Sequence, residues 1–193
     1  MGRGLAGIAW SAMTVRSCFA GLASGLQEHL AEGSESRDLF EYHRNRIAAI
    51  FASQPDLPLH QDTVVGFVNG FMLSGAYFVS DDSVQQESMF PVLGGALLLG
   101  QDLPIDADPV DVTAGFSFFE RAAPAMGEPD PTGVTRDLVC KAFSMAPDAP
   151  MTCASLGGFC LGVLYTAPYL TGSDTGPAAL LTAAGELARE LAS

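Results

Sequence analysis

Few side chains in this sequence have types and spacing that could carry out chemistry, and the densest group of them is acidic. Asp81 and Asp82 are adjacent, and Glu87 follows five residues after Asp82. Carboxylates grouped in this way can bind Mg²⁺ together with substrate phosphates. Aspartates at the start of a helix also cap its free amides and are stabilised by its dipole. We expect capping here, and a small all-α magnesium-dependent enzyme with metal ligands Asp81, Asp82 and Glu87 is the alternative.

The three histidines do not form a metal motif. His29, His43 and His60 show neither the H-x-x-x-H nor the E-x-x-H spacing that places ligands on one helix face. His43 shares a helical stripe with the apolar residues Leu39, Ile47 and Ile50. We therefore expect His43 to face the core, bonded to a backbone carbonyl or an acid, and the alternative is a pocket-lining histidine with a shifted pKa.

The only cluster of positive charge is Arg37, Arg44 and Arg46. Arg37 and Arg44 share a helix face with Glu41 between them, a pattern typical of a solvated, ion-paired surface. A site for an anion or a partner is the alternative interpretation of this cluster.

Two long segments, 63–80 and 149–173, contain no charged residue, and each has small residues at every fourth position. The two rows are Gly66, Gly70 and Ser74, then Ala154, Gly158, Gly162 and Thr166. Small residues at this spacing let a neighbouring backbone approach closely. We expect two central, closely packed helices. An apolar ligand pocket along the rows and a pair of membrane spans are the alternatives.

The pocket interpretation names its own residues. Asn69 and Tyr77 are polar groups on an otherwise apolar segment, Gly70 leaves space, and His43 faces inward. The candidate ligand-binding residues are therefore His43, Asn69, Gly70 and Tyr77.

Charge and cysteine spacing exclude several classes of protein. The formal net charge is −13, with one lysine among nine basic residues, which argues against nucleic acid and anionic membrane surfaces. The four cysteines show no C-x-x-C spacing, and Cys153 and Cys160 lie too far apart on one helix for a disulfide. Reduced, buried thiols predict a cytoplasmic protein. We expect no cofactor.

The pattern of apolar residues predicts helices throughout, with no alternation typical of strands. We expect one all-α domain over residues 1–193, a compact irregular bundle of about seven to eight helices. The predicted helices cover 5–31, 36–52, 62–79, a segment from 82 with a kink at Pro91, segments beginning at Asp108-Pro109 and Asp130-Pro131, 150–170 and 175–192.

Together these observations predict a non-catalytic helical module that binds an apolar small molecule or a protein partner. We expect it to act as a homodimer. The helical magnesium-dependent enzyme remains the alternative function.

Overall fold

The computed structural model describes residues 35–78, 89–104, 110–144, 150–167 and 176–193, together with residues 26, 29 and 108; for residues 76–78 it describes the backbone alone. Within them the chain forms seven α-helices and no strand, which confirms the all-α prediction. The helices are α1 (Arg37–Ala52), α2 (Gln61–Phe78), α3 (Phe90–Gln101), α4 (Phe116–Ala122), α5 (Val134–Ser144), α6 (Cys153–Tyr165) and α7 (Gly176–Leu191). A 3₁₀ turn, Ala123–Ala125, follows α4. Most of the helix expected over 5–31 lies outside the described residues.

Hydroxyl side chains fix the starts of the two central helices. At α6, Ser155 N donates to Thr152 Oγ1 at 3.0 Å and Thr152 N donates to Ser155 Oγ at 2.8 Å, a reciprocal capping box. At α2, His60 N donates to Thr63 Oγ1 at 2.9 Å, and Asp62 N donates to His60 Nδ1 at 3.1 Å. Asp62, where the sequence predicts this helix to begin, lies inside the first turn, one residue after the start at Gln61.

Two predicted helix starts are wrong. Helix α4 begins at Phe116 rather than at Asp108-Pro109, and α5 begins at Val134 rather than at Pro131. In each case an aspartate closes a turn before the helix: Thr113 N donates to Asp111 Oδ1 at 2.8 Å, and Thr132 N donates to Asp130 Oδ1 at 2.9 Å. Such turns compete with helix formation, so the helix starts later.

Pro91 lies in the first turn of a helix. Helix α3 begins one residue earlier, at Phe90, and proline is tolerated there because first-turn amides have no partner within the helix. The segment from residue 82 to 88, where we expected this helix to begin, lies outside the described residues.

Helices α2 and α6 lie at the centre of one hydrophobic core, as predicted for segments 63–80 and 149–173. They form the most extensive helix pair in the described part of the chain, α1 packs on α3, and α7 packs on α5 and α6. Phe67, Phe71 and Phe159 are fully buried between these helices. None of the described helices has the combination of length and apolarity needed to cross a membrane.

Candidate functional site

The glycine rows of α2 and α6 face each other's backbone. A Cβ atom at Gly70 would overlap the carbonyl group of Phe159, and one at Gly158 would overlap the carbonyl group of Thr63. The same holds for Gly66 against Ser155 and for Gly162 against Phe67. The expectation that Gly70 and Gly158 are solvent-free and face other backbone is therefore confirmed. At these glycines, helix backbone occupies the place that the pocket interpretation gave to a ligand.

The two rows end in a buried hydrogen bond. Ser74 Oγ lies 2.6 Å from Thr166 Oγ1, and Thr166 Oγ1 also lies 2.5 Å from the carbonyl oxygen of Val163. Because the Thr166 hydroxyl donates to this carbonyl, the Ser74 hydroxyl donates to Thr166. The bond joins the C-terminal parts of two helices that run parallel, since residues later in α2 contact residues later in α6.

His43 faces the core from α1, as the sequence predicts, but its partner is neither a carbonyl nor an acid. Its Nδ1 lies 2.9 Å from the hydroxyl oxygen of Tyr165 at the end of α6, and the His43 residue is only 7% exposed. Burial lowers the pKa of His43, and the positive charge of Arg46 lowers it further. The imidazole is therefore held neutral at physiological pH.

Tyr165 is the residue that sequence reasoning missed. Its ring packs edge-on against Phe67 and Phe71, with ring centres 5.5 and 6.0 Å apart. One feature of the sequence could have indicated its role. A buried tyrosine hydroxyl usually has a hydrogen-bond partner, so a phenol at the end of an apolar segment predicts a polar partner in the core. That partner is His43, 122 residues away in sequence, a distance that no local pattern can bridge.

Arg46 lies between two tyrosine rings. Its guanidinium carbon is 5.6 Å from the ring centre of Tyr42 and 5.5 Å from that of Tyr165, and its Nη1 donates to the Tyr42 hydroxyl at 3.3 Å. These distances are those of cation–π contacts between an exposed guanidinium and the two rings. We call His43, Arg46 and Tyr165 the α1–α6 corner.

The surface beside this corner is apolar. Leu39, Tyr42 and Arg46 follow one another at helical spacing on the outer face of α1, and Leu39 and Tyr42 are 45% and 53% exposed. We call these three residues the α1 face. Tyrosine and arginine are also enriched among the residues that dominate the binding energy of protein interfaces.

The other two arginines of α1 are ion-paired at the surface. Arg37 pairs with Glu41, and Arg44 pairs with Glu41 and with Asp102 at the end of α3. The predicted solvated, charged face is therefore confirmed for Arg37 and Arg44, while Arg46 differs by packing against tyrosine rings.

Among the remaining predicted site residues, the structure describes the side chain of Asn69. Asn69 lies on α2, and its Nδ2 is buried without a hydrogen-bond partner among the described residues. Tyr77 belongs to the last turn of α2, but its side chain lies outside the described part of the structure. The alternative metal ligands Asp81, Asp82 and Glu87 also lie outside it.

The described residues contain no group of three or more histidine, cysteine, aspartate or glutamate side chains that could hold a metal ion. Two cysteines of α6 are buried thiols. Burial raises the pKa of Cys160 to about 12, and it also raises the pKa of Cys153, whose thiol donates to the carbonyl oxygen of Ala188 at 3.4 Å. Thiols with raised pKa values are poor nucleophiles and poor metal ligands.

Comparison of this chain with protein-family models, curated proteins and solved structures gives no match.

Proposed function

We propose that this chain is a non-catalytic helical module that binds a protein partner through the α1 face, and that the partner is a second copy of the chain. The observation that carries the proposal is Arg46, held between Tyr42 and Tyr165 beside exposed apolar surface. Tyrosine and arginine are the residues that dominate the binding energy of protein interfaces.

The core beneath this face supports a rigid binding surface. Tyr165 is fixed by Phe67, Phe71 and His43, so that the ring on which Arg46 packs cannot move without disturbing buried neighbours. A side chain that is ordered before binding loses less conformational entropy when the partner docks.

A protein partner is favoured over an apolar small molecule within the α2–α6 pair. The glycine rows that could have lined a pocket are filled by the opposite backbone. A two-fold dimer brings the same patch of both copies together, so Leu39 and Tyr42 of one copy can pack against the α1 face of the other.

Photo-crosslinking at position 42 tests this proposal. Tyr42 is replaced by p-benzoylphenylalanine in the full-length chain, and the purified protein is irradiated and analysed by denaturing electrophoresis and native mass spectrometry. We expect a crosslinked band at twice the mass of the chain. The matched control carries the same residue at Val134, which is 58% exposed on α5.

Two results would count against the proposal. The proposal would be refuted if native mass spectrometry showed a monomer and no crosslink formed from position 42. Equal crosslinking at positions 42 and 134 would show non-specific contact between apolar side chains rather than a defined α1 interface.

A small-molecule ligand remains the second candidate, because one observation favours it. The buried Nδ2 of Asn69 has no partner among the described residues, and such a group costs free energy unless something accepts its hydrogen bond. Native mass spectrometry of the protein as purified would reveal a retained ligand, and Asn69→Leu should abolish that retention. The helical magnesium-dependent enzyme gains no support from the described residues.

A further inference from the structure

Two segments of the sequence recur 92 residues apart. P-D-L-P at 55–58 recurs as P-D-A-P at 147–150, and G-F-V-N-G at 66–70 recurs as G-F-C-L-G at 158–162. The spacing of 92 residues is the same for both segments, so they belong to one repeat rather than to two coincidences. By this offset α1 corresponds to α5, α2 to α6 and α3 to α7.

The starts of α2 and α6 use the same hydrogen bonds at equivalent positions. Thr63 accepts from His60 N and donates to the carbonyl oxygen of Pro58 at 2.9 Å. Ser155, its equivalent, accepts from Thr152 N and donates to the carbonyl oxygen of Pro150 at 3.0 Å. In both halves, the hydroxyl at this position of the repeat therefore stabilises the start of the central helix.

Contacts between helices within each half also correspond. Phe51 packs on Phe67 with ring centres 6.2 Å apart, and the equivalent rings of Phe143 and Phe159 are 6.0 Å apart. These contacts place the first helix of each half on the second in the same way.

Equivalent arginines form ion pairs at the surface, with acidic partners that are not themselves equivalent. Arg44 of α1 pairs with Asp102 at the end of α3, and its equivalent, Arg136 of α5, pairs with Glu190 near the end of α7. Each half thus joins its first helix to the C-terminal end of its third.

The contacts between the halves are reciprocal. Gly66 faces Ser155 while Gly158 faces Thr63, and these are the same contact with the roles of the halves exchanged. Gly70 against Phe159 and Gly162 against Phe67 form a second such pair. Reciprocity of this kind defines an interface between two copies related by a two-fold axis.

The position of the axis follows from Ser74 and Thr166. They are equivalent residues, and their hydroxyl oxygens lie 2.6 Å apart. A residue contacts its own equivalent only where the two-fold axis passes between them. The axis therefore runs along the parallel α2–α6 pair.

We infer that the chain is an internal duplication, in which the units α1–α2–α3 and α5–α6–α7 form a fused homodimer about this axis. The partner that fits the glycine face of α2 is thus a second copy of the same unit, supplied by the chain itself. The α1–α6 corner has its equivalent between α5 and α2.

The two corners differ in chemistry, and this identifies the specialised residues. His43, Arg46 and Tyr165 correspond to Thr135, Leu138 and Leu73, respectively. The second half therefore has no imidazole, guanidinium or phenol at these positions, and Thr135 instead donates its hydroxyl to Asp130 Oδ2 at 2.9 Å. Resting on the proposed function, this makes His43 and Tyr165 positioning residues for Arg46 in partner binding.

Grafting the pair onto the second corner tests the duplication. Leu73→Tyr with Thr135→His should create a second tyrosine–histidine hydrogen bond at the equivalent place. In a double-mutant cycle, we expect the two changes to stabilise each other about three- to tenfold in the unfolding equilibrium constant. The control, Leu73→Tyr with Val134→His, is one residue out of register and should show additive effects.

A crosslink tests the axis if the grafted variant does not fold. Ser74→Cys with Thr166→Cys, in a chain with Cys18 and Cys140 changed to serine, should form a disulfide within the monomer on mild oxidation. Peptide mass mapping would identify it. Additive effects in the graft, or a folded double-cysteine variant without this disulfide, would overturn the duplication.

The specialised role has its own test. His43→Thr with Tyr165→Leu installs the residues of the second corner, so the unfolding equilibrium constant should stay within about tenfold of that of the wild type. Crosslinking from position 42 should be lost. Unchanged crosslinking in this variant would refute the positioning role of His43 and Tyr165. Absence of a crosslink when these two residues are unchanged would refute the proposed function, and the duplication would then be tested by the grafted variant alone.

Discussion

His43 is a titratable side chain inside the fold, and its environment makes stability depend on pH. Because burial, with a smaller effect of Arg46, lowers its pKa from 6.5, the unfolded chain binds the proton more tightly than the folded one. The contribution of neutral His43 is full above pH 6.5 and declines as the pH falls below that value.

We expect His43→Gln to weaken this decline. Between about pH 7.5 and 5.5 the free energy of unfolding of the wild type should fall more steeply than that of the variant, by up to about 1.4 kcal/mol per pH unit. Urea titrations at several pH values measure it. Tyr165→Phe is the control, since it removes the hydrogen bond but keeps the burial, and its pH dependence should resemble that of the wild type. Parallel profiles for wild type and His43→Gln would contradict the assignment.

At the scale of elements, α2 and α6 depend on glycine where their backbones touch. Four glycines bring the helices together, and any side chain there must push them apart. Glycine inside a helix costs about 0.5–1 kcal/mol relative to alanine, so close packing has to offset that cost.

Gly70→Ala should therefore destabilise the protein although alanine favours helices. Its Cβ would overlap the Phe159 carbonyl group, and we expect a loss of about 1–3 kcal/mol or more, measured by thermal or urea unfolding. Gly127→Ala is the matched control, because the nearest atom to its Cβ would be Thr182 Oγ1 at an ordinary 3.6 Å. A Gly70→Ala variant as stable as the wild type would mean that the two backbones are not in contact.

At the scale of the whole molecule, the core encloses groups that solvent reaches only when the structure opens. Cys153 and Cys160 of α6 are buried, while Cys140 of α5 is partly exposed. The raised pKa values of Cys153 and Cys160 further suppress the thiolate form of these two residues at neutral pH.

Thiol labelling measures this enclosure. In a Cys18→Ser chain at neutral pH, we expect a disulfide reagent to label Cys140 in the native state and to reach Cys153 and Cys160 only after denaturation. Mass spectrometry of the peptides identifies the modified residues. Fast labelling of Cys160 without denaturant would show that α6 is not central.

The sequence by itself determined the fold class and the central helices. Apolar periodicity predicted helices where α1, α2, α6 and α7 lie, and the absence of charge placed segments 63–80 and 149–173 inside, because an uncharged helix has no face for solvent. The small-residue rows predicted close packing because a residue without a bulky side chain lets a neighbouring backbone approach, and the glycines of α2 and α6 do contact the opposite backbone. The helix starts predicted at 108 and 130 were wrong, because an aspartate that closes a turn has the same sequence signature as an aspartate that caps a helix.

Only the tertiary structure decided which residues meet. His43 and Tyr165 are 122 residues apart, and Ser74 and Thr166 are 92 apart, so neither pair lies within reach of a local pattern. The sequence signal of the duplication is weak, because the two halves share few residues beyond those that cap helices, pack in the core or contact each other across the axis. The two-fold relation between the halves is visible in the reciprocal contacts, which form only when both halves are folded against each other.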